Sequence, residues 1–212
     1  MCPRCGGSKL PPKKPIFMQT EHTAPKFRYV DDVSHLAFIG LGANLPSPAG
    51  TPEQTLLAVM QDLAGAGHVT ARSSLYETEP VGNPNQPAFV NAVVQLETEM
   101  EPEALLDFLL ATERRYGRDR REAGANTAGG PRPLDLDLLL VDAVVMDTPQ
   151  LTLPHPALAQ RRFVLQPLSE IAPHLRHPVL GRTMAELLAM LPEEGANRSG
   201  SVRLIAERQA AP

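Results

Sequence analysis

Tryptophan is absent from this 212-residue chain, aromatic residues make up only 4% of it, and no lysine follows Lys26. Without lysine the body has no Walker-type Gly-Lys-Ser/Thr loop and no Schiff-base lysine, so any phosphate is left to arginine, backbone amides or metal. Cysteine is nearly as scarce. Cys2 and Cys5 are the only two; the body can form no disulfide and carries no sign of an oxidising compartment, so a cytoplasmic protein is expected. Cys2-Pro-Arg-Cys5 has the form of half a zinc knuckle, but a structural zinc site needs four ligands and no second pair exists, with only His22 or His35 to complete it. No apolar run approaches the roughly 18 residues of a membrane span, and the N-terminus lacks a signal-peptide stretch, so a soluble protein with no membrane partner is expected.

The net charge of −4 hides an asymmetry: residues 1–34 hold six Lys/Arg and three Asp/Glu, leaving fourteen against twenty-one for the rest. A body that acidic is a poor general binder of nucleic acid, so no nucleic-acid partner is expected; small-molecule substrates and a monomer are expected as well. Residues 1–34 are rich in Pro, Lys and Gly and show no periodicity, so they read as a disordered extension. One domain over 35–195 follows, long enough for its own core, and then a loose tail over 196–212.

Within the domain, Ala37-Phe-Ile-Gly-Leu-Gly-Ala-Asn44 reads as a strand running into a turn. Thr51-Pro-Glu-Gln54 is a capping box with Pro at the first helical position, and Leu56, Leu57, Met60 and Leu63 share the helix face behind it. Strands are expected over 68–76 and 89–96, a second helix from Pro102 to a stop at Gly117, and a fourth strand over 134–141. Strand, helix, strand, strand, helix, strand is the ferredoxin-like βαββαβ pattern, an α/β (α+β) class with helices on one sheet face. Thr183-Met-Ala-Glu186 caps a last helix that stops at Pro192.

Asp135 and Asp137 are the most informative pair. Residues two apart on a strand point the same way, roughly 6.5 Å apart along it, and acids inside a Leu-rich strand cost stability unless a cation compensates. Metal ions about 4 Å apart fit such a pair, and oxygen-only ligands favour magnesium or manganese. Arg114, Arg115, Arg118, Arg120, Arg121 and Arg132 gather just upstream. Arg114 and Arg115 suit a helix C-terminus. Arg118, Arg120 and Arg132 lie in or beside a Gly-rich loop leading to the carboxylates, where a polyphosphate chain needs cations. His155, between two prolines and ahead of Arg161 and Phe163, reads equally as structural or functional. Phe89 and Asn91 share a strand face, an aromatic beside an amide that can donate and accept.

Taken together, Gly40-Leu-Gly-Ala-Asn44, Tyr76-Glu-Thr78, Gln86-Pro-Ala-Phe89-Val-Asn91, Gly117-Arg118, Gly130-Pro-Arg132-Pro-Leu-Asp135-Leu-Asp137 and Pro154-His155 through Arg161 to Phe163 resemble the 6-hydroxymethyl-7,8-dihydropterin pyrophosphokinase family over residues 36–190. The resemblance implies a ferredoxin-like fold and diphosphate transfer from ATP to the pterin alcohol, giving AMP and the pterin diphosphate in folate biosynthesis. It implies that Asp135 and Asp137 hold two Mg2+ ions on the ATP phosphates. Arg118 and Arg132 would stabilise the transferring group, with Arg120, Leu138, Thr152, His155 and Arg161 on ATP. Phe89 and Phe163 would sandwich the pterin, while Asn91 and the Thr78 to Val81 segment would read its edge.

The sequence departs from the family in the loop before the aspartates. Relatives commonly carry a basic residue and a Trp just ahead of Gly-Pro-Arg; here Ala128 and Gly129 stand there. A Gly/Ala loop costs more entropy to order, which predicts weaker nucleotide retention or closure through Asn126 or Arg121. Pro156 and Glu79 are smaller mismatches, and fusion partners of the same pathway are not expected. Two other readings fit parts of the pattern. A nucleotidyl transferase or cyclase on a ferredoxin-like palm leaves Phe89, Asn91 and Phe163 without a role, and a small-molecule sensor leaves the carboxylates unexplained.

Overall fold

Alternation of apolar residues with glycine organises the first strand, β1, which runs His35–Ala43. The structure is a computed structural model and describes residues 34–80, 85–118, 130–192 and 202–206, all within the unit that begins at Asp32. Ala37, Ile39, Leu41 and Ala43 of β1 enter one core, whereas Phe38 enters another on the opposite face. Helix α1 follows over Pro52–Asp62 with the expected capping box: Thr51 Oγ1 accepts from Gln54 N, and Thr51 N donates to Gln54 Oε1 at 2.9 Å.

The strand expected over 68–76 is two strands, β2 at His68–Arg72 and β3 at Leu75–Thr78. The break falls at Ser73 and Ser74, where the Ser73 hydroxyl accepts from Val93 N at 2.9 Å in place of a regular ladder bond. Strand β4 spans Phe89–Thr98 and helix α2 spans Pro102–Arg115. Gly117, at φ +92, turns the chain out of α2 as expected, and Arg118 N closes the turn on Glu113 O at 3.0 Å.

Strand β5 is Asp135–Val141. Its pairing with β1 slips between Phe38 and Ile39, which meet Leu140 and Leu138 and leave Leu139 as an extra residue. The in-and-out alternation of β5 therefore ends early: Leu139 and Leu140 both join the second core and Val141 returns to the first. A short hairpin of β6 (Met146–Asp147) and β7 (Thr152–Leu153) leads to α3 at Arg162–Ile171, α4 at Met184–Met190 and β8 at Val202–Ala206. Thr183 caps α4 as expected.

The sheet order is β5-β1-β4-β3-β8, with β2 beside β3 on β4, and every pairing is antiparallel. This is the mixed α/β class with an antiparallel sheet and flanking helices that the pattern predicts. Helices cover both faces, however, where one was expected. On the first face Leu56, Leu63, Leu105 and Leu109 are fully buried, each worth about 1.5–3 kcal/mol. On the second, Val164, Leu165 and Leu168 of α3 and Met184 and Leu187 of α4 pack on Phe38, Val93, Leu139 and Leu140. Periodicity alone gave no reason to expect α3, because Pro167 interrupts it. Nor was β8 expected; it lies in the stretch read as a loose tail and pairs with β3. The rest of the second face, bearing Gly42, Phe89, Asn91, Asp135 and Asp137, lies beyond the second core.

Candidate active site

Asp135 and Asp137 stand on one face of β5, with side chains 15% and 32% exposed. Leu138, on the strand face opposite Asp135 and Asp137, turns its side chain into the first core and is 3% exposed, so only its main chain can meet a nucleotide. Arg118 Nη1 bonds Asp135 Oδ1 and also reaches Glu113 Oε1 at 2.6 Å and Leu134 O at 3.3 Å. Arg132 Nη2 lies 2.6 Å from Asp135 Oδ2. Arg161 Nη1 is 3.9 Å from Asp137 Oδ2. Among the described residues, three guanidinium groups thus converge on two carboxylates.

Burial, and then the neighbouring Asp135 carboxylate, push the Asp137 carboxyl up to about 6, against the pull of Arg161, Arg132 and Arg118. An acid held this unfavourably is what a cation relieves. The described residues contain no cluster of three or more His, Cys, Asp or Glu able to hold a metal. Two carboxylates completed by phosphate oxygens and water suit magnesium, which keeps several waters and rarely uses an all-protein cage. The residues present therefore fit a substrate-completed magnesium site.

Two further residues hold this cluster, and sequence reasoning gave them no role. Glu113 is 1% exposed; one of its oxygens accepts from both Arg118 and Leu136 N, at 2.6 and 2.9 Å, so α2 positions the arginine and the start of β5 together. Asn44 is 3% exposed. Its Oδ1 accepts from Arg132 N at 2.7 Å while its Nδ2 donates to Pro87 O at 3.0 Å and Gln86 Oε1 at 3.2 Å. An acid one turn before a terminating glycine was the available signal for Glu113; for Asn44 it was its place at the end of the Gly40 to Asn44 segment that carries the family resemblance.

Across β1, Asn91 Nδ2 donates to Thr78 Oγ1 at 2.7 Å, and both side chains are buried. Phe89 lies on the same face of β4, with the Arg132 guanidinium 5.2 Å over its ring. Arg161 sits 5.7 Å over Phe163, which packs on the edge of the second core. His155 is anchored through its backbone N to Leu139 O at 2.9 Å, and its Nδ1 accepts from Ala157 N at 3.2 Å. Burial and then Arg161 push its pKa down. A neutral ring whose Nδ1 accepts carries its proton on Nε2, which leaves that N–H as a donor. Thr152, on β7, gives its hydroxyl to Asp147 at 2.8 Å. Val81, Arg120, Arg121, Asn126 and the cysteines of the N-terminal extension lie outside the described residues.

Acidic side chains beside clustered arginines, facing an amide and an aromatic ring across one strand, have the chemistry of a phosphoryl transferase with a flat heterocyclic acceptor. The sequence profile of the family 7,8-dihydro-6-hydroxymethylpterin-pyrophosphokinase (HPPK) matches residues 38–173, and the chain belongs to that family. It is an ATP-dependent diphosphotransferase of folate biosynthesis. The 2-amino-4-hydroxy-6-hydroxymethyldihydropteridine pyrophosphokinase of Pseudomonas aeruginosa is 41% identical over 161 residues, covering 76% of this chain and 94% of that protein. The protein of the same name from Haemophilus influenzae is 39% identical over 142 residues, 67% of this chain and 84% of that one. The fold is similar to that of wild-type Plasmodium falciparum HPPK-DHPS crystallised with pteroate, at a TM-score of 0.57 and 14% identity over 74% of this chain. This chain spans 44% of that longer one.

Proposed function

We propose that the chain transfers diphosphate from ATP to 6-hydroxymethyl-7,8-dihydropterin through the cluster on the open face of β5, β1 and β4. The observation that carries this reading is the convergence of Arg118, Arg132 and Arg161 on Asp135 and Asp137, with the Asn91–Thr78 pair on the same sheet face. Asp135 and Asp137 would hold two magnesium ions, which when bound supply charge neutralisation along the triphosphate. Arg118 and Arg132 exchange part of their hold on Asp135 for the phosphate oxygens. Arg161, Arg120 and the Nε2–H of His155 grip the nucleotide, with Thr152 and the main chain of Leu138 beside it.

Asn91 and Thr78, continued by Val81, read the hydrogen-bonding edge of the pterin, and Phe89 and Phe163 take its faces. The hydroxymethyl oxygen attacks the β-phosphorus in line and AMP leaves. Orientation and preorganised positive charge supply most of the acceleration. We further propose a cytoplasmic monomer, with residues 35–195 as the catalytic domain, 1–34 as an extension, and β8 of the C-terminal segment completing the sheet beside β3. Among the described residues no helix is long and apolar enough to cross a membrane.

Mass spectrometry after incubation with ATP, magnesium and the hydroxymethyl pterin tests the reaction. AMP together with a pterin diphosphate is expected; ADP or a cyclic nucleotide would refute it. Light scattering at working concentration tests the monomer.

A further inference from the structure

The central strand turns Phe38, Gly40 and Gly42 toward the second face, and the three meet different surroundings. Phe38 is part of the second core. A Cβ added at Gly40 would meet the Leu139 methyl groups at 3.5 Å, an ordinary van der Waals contact. At Gly42 the same addition would stand 3.0 Å from Asn91 Oδ1 and 3.9 Å from Asp135 Cβ. The register explains this: Gly42 pairs with Asn91 on β4 and with Asp135 on β5. Strands lie about 4.8 Å apart, so the amide and the carboxylate stand roughly 10 Å apart with Gly42 midway.

We propose that Gly42 is a specificity-determining position, whose missing side chain keeps open the strip of sheet between Asn91 and Asp135 along which the hydroxymethyl arm of the acceptor reaches the phosphates. The proposal rests on the reading of Asn91 as pterin-binding and Asp135 as metal-binding. Glycine inside a strand weakens it and is tolerated where a ligand approaches the backbone closely. Conformation does not demand glycine here, because Gly42 is not among the positive-φ glycines. Space does. The Asn91 amide cannot swing aside freely, since its Nδ2 is tied to the buried Thr78 hydroxyl at 2.7 Å. A methyl group at residue 42 must shift that amide or break its bond, and it occupies the strip as well.

The test compares Gly42→Ala with Gly40→Ala in the full chain, by steady-state kinetics, thermal melting and binding of a non-hydrolysable ATP analogue with magnesium. Gly42→Ala should raise the pterin KM by roughly tenfold or more, the scale of a sub-ångström misplacement. Its affinity for the ATP analogue should stay within about twofold and its fold intact, while Gly40→Ala behaves as wild type in all three. An unchanged pterin KM in folded Gly42→Ala, or an equal loss of nucleotide affinity, would overturn the proposal. Should Gly42→Ala not fold, the wild-type protein decides with an acceptor carrying a 1-hydroxyethyl arm. A narrow strip rejects that branch by roughly tenfold in kcat/KM, and equal turnover overturns the proposal. Asn91→Ala is the separate check on the underlying reading: an unchanged pterin KM there would remove the pterin site itself, whatever Gly42→Ala does.

Discussion

Glu113 and Arg118 are joined twice, by a 2.6 Å ion pair between side chains and by the Arg118 N to Glu113 O bond that closes the end of α2. The second bond is local and follows from Gly117. The first delivers the guanidinium to Asp135, and Asp135 and Glu113 together raise the Arg118 pKa against the effect of burial.

Glu113→Gln should therefore weaken catalysis more than nucleotide binding. The neutral amide can still accept from one partner but no longer balances the arginine, so kcat should fall by about 10 to 100-fold with a smaller change in ATP KM. Glu113→Ala also strips Leu136 N and Arg118 of a buried acceptor and should cost on the order of 3 kcal/mol by urea unfolding. Equal kinetics for wild type and Glu113→Gln would show that Arg118 needs no such support.

Arg132→Lys tests a different geometry. Arg132 both pairs with Asp135 and lies over Phe89. An ammonium is a point charge and cannot span both contacts. A loss of about a hundredfold in kcat is expected, measured under saturating substrates; retention of more than a third of wild-type kcat would mean that charge alone suffices.

Asp137 predicts a pH dependence of the metal-free protein. Its folded pKa, about 6, lies above its ordinary value of 3.8. Its contribution to stability is thus fully present below about 3.8 and is lost as pH rises through 6. Asp137→Asn should raise the melting temperature of metal-free protein at pH 7.5 and show little difference at pH 4, while abolishing turnover. Magnesium-dependent nucleotide affinity of the wild type should fall as pH drops below 6, because protons compete with the cation. Melting curves that differ equally at both pH values would contradict this assignment.

Glu170 on α3 holds the break between β2 and β3, accepting from Ser74 N, the Ser74 hydroxyl and the Tyr76 hydroxyl at 2.9 to 3.0 Å. Burial, and then this carboxylate, push the Tyr76 phenol up to about 12. Glu170→Ala should destabilise the fold by about 1–3 kcal/mol, since three donors lose their acceptor. By NMR titration, the Tyr76 phenol should move down toward 10; an unmoved phenol would mean that burial alone sets it.

Much of the scaffold was legible because its signals are local. The Thr51 and Thr183 boxes, Pro102 and Gly117 act within one helical turn, and alternate residues of a strand must share a face, which put Asp135 beside Asp137 and Phe89 beside Asn91. Residue types and spacing also carried the family resemblance, and with it the reaction. What the tertiary structure decided is how distant segments meet. Helix α3 exists despite Pro167 because Val164, Leu165 and Leu168 find Phe38, Val93, Leu139 and Leu140 on the sheet, a gain that no local propensity expresses. The bulge at Leu139 depends on register against β1. Glu113 reaches the site only when α2 packs beside β5, and Asn44 only when three loops close on one another. Gly42 stands between Asn91 and Asp135 because residues 42, 91 and 135 become neighbours through antiparallel pairing. A composition cannot contain that relation, since pairing joins positions far apart in the chain.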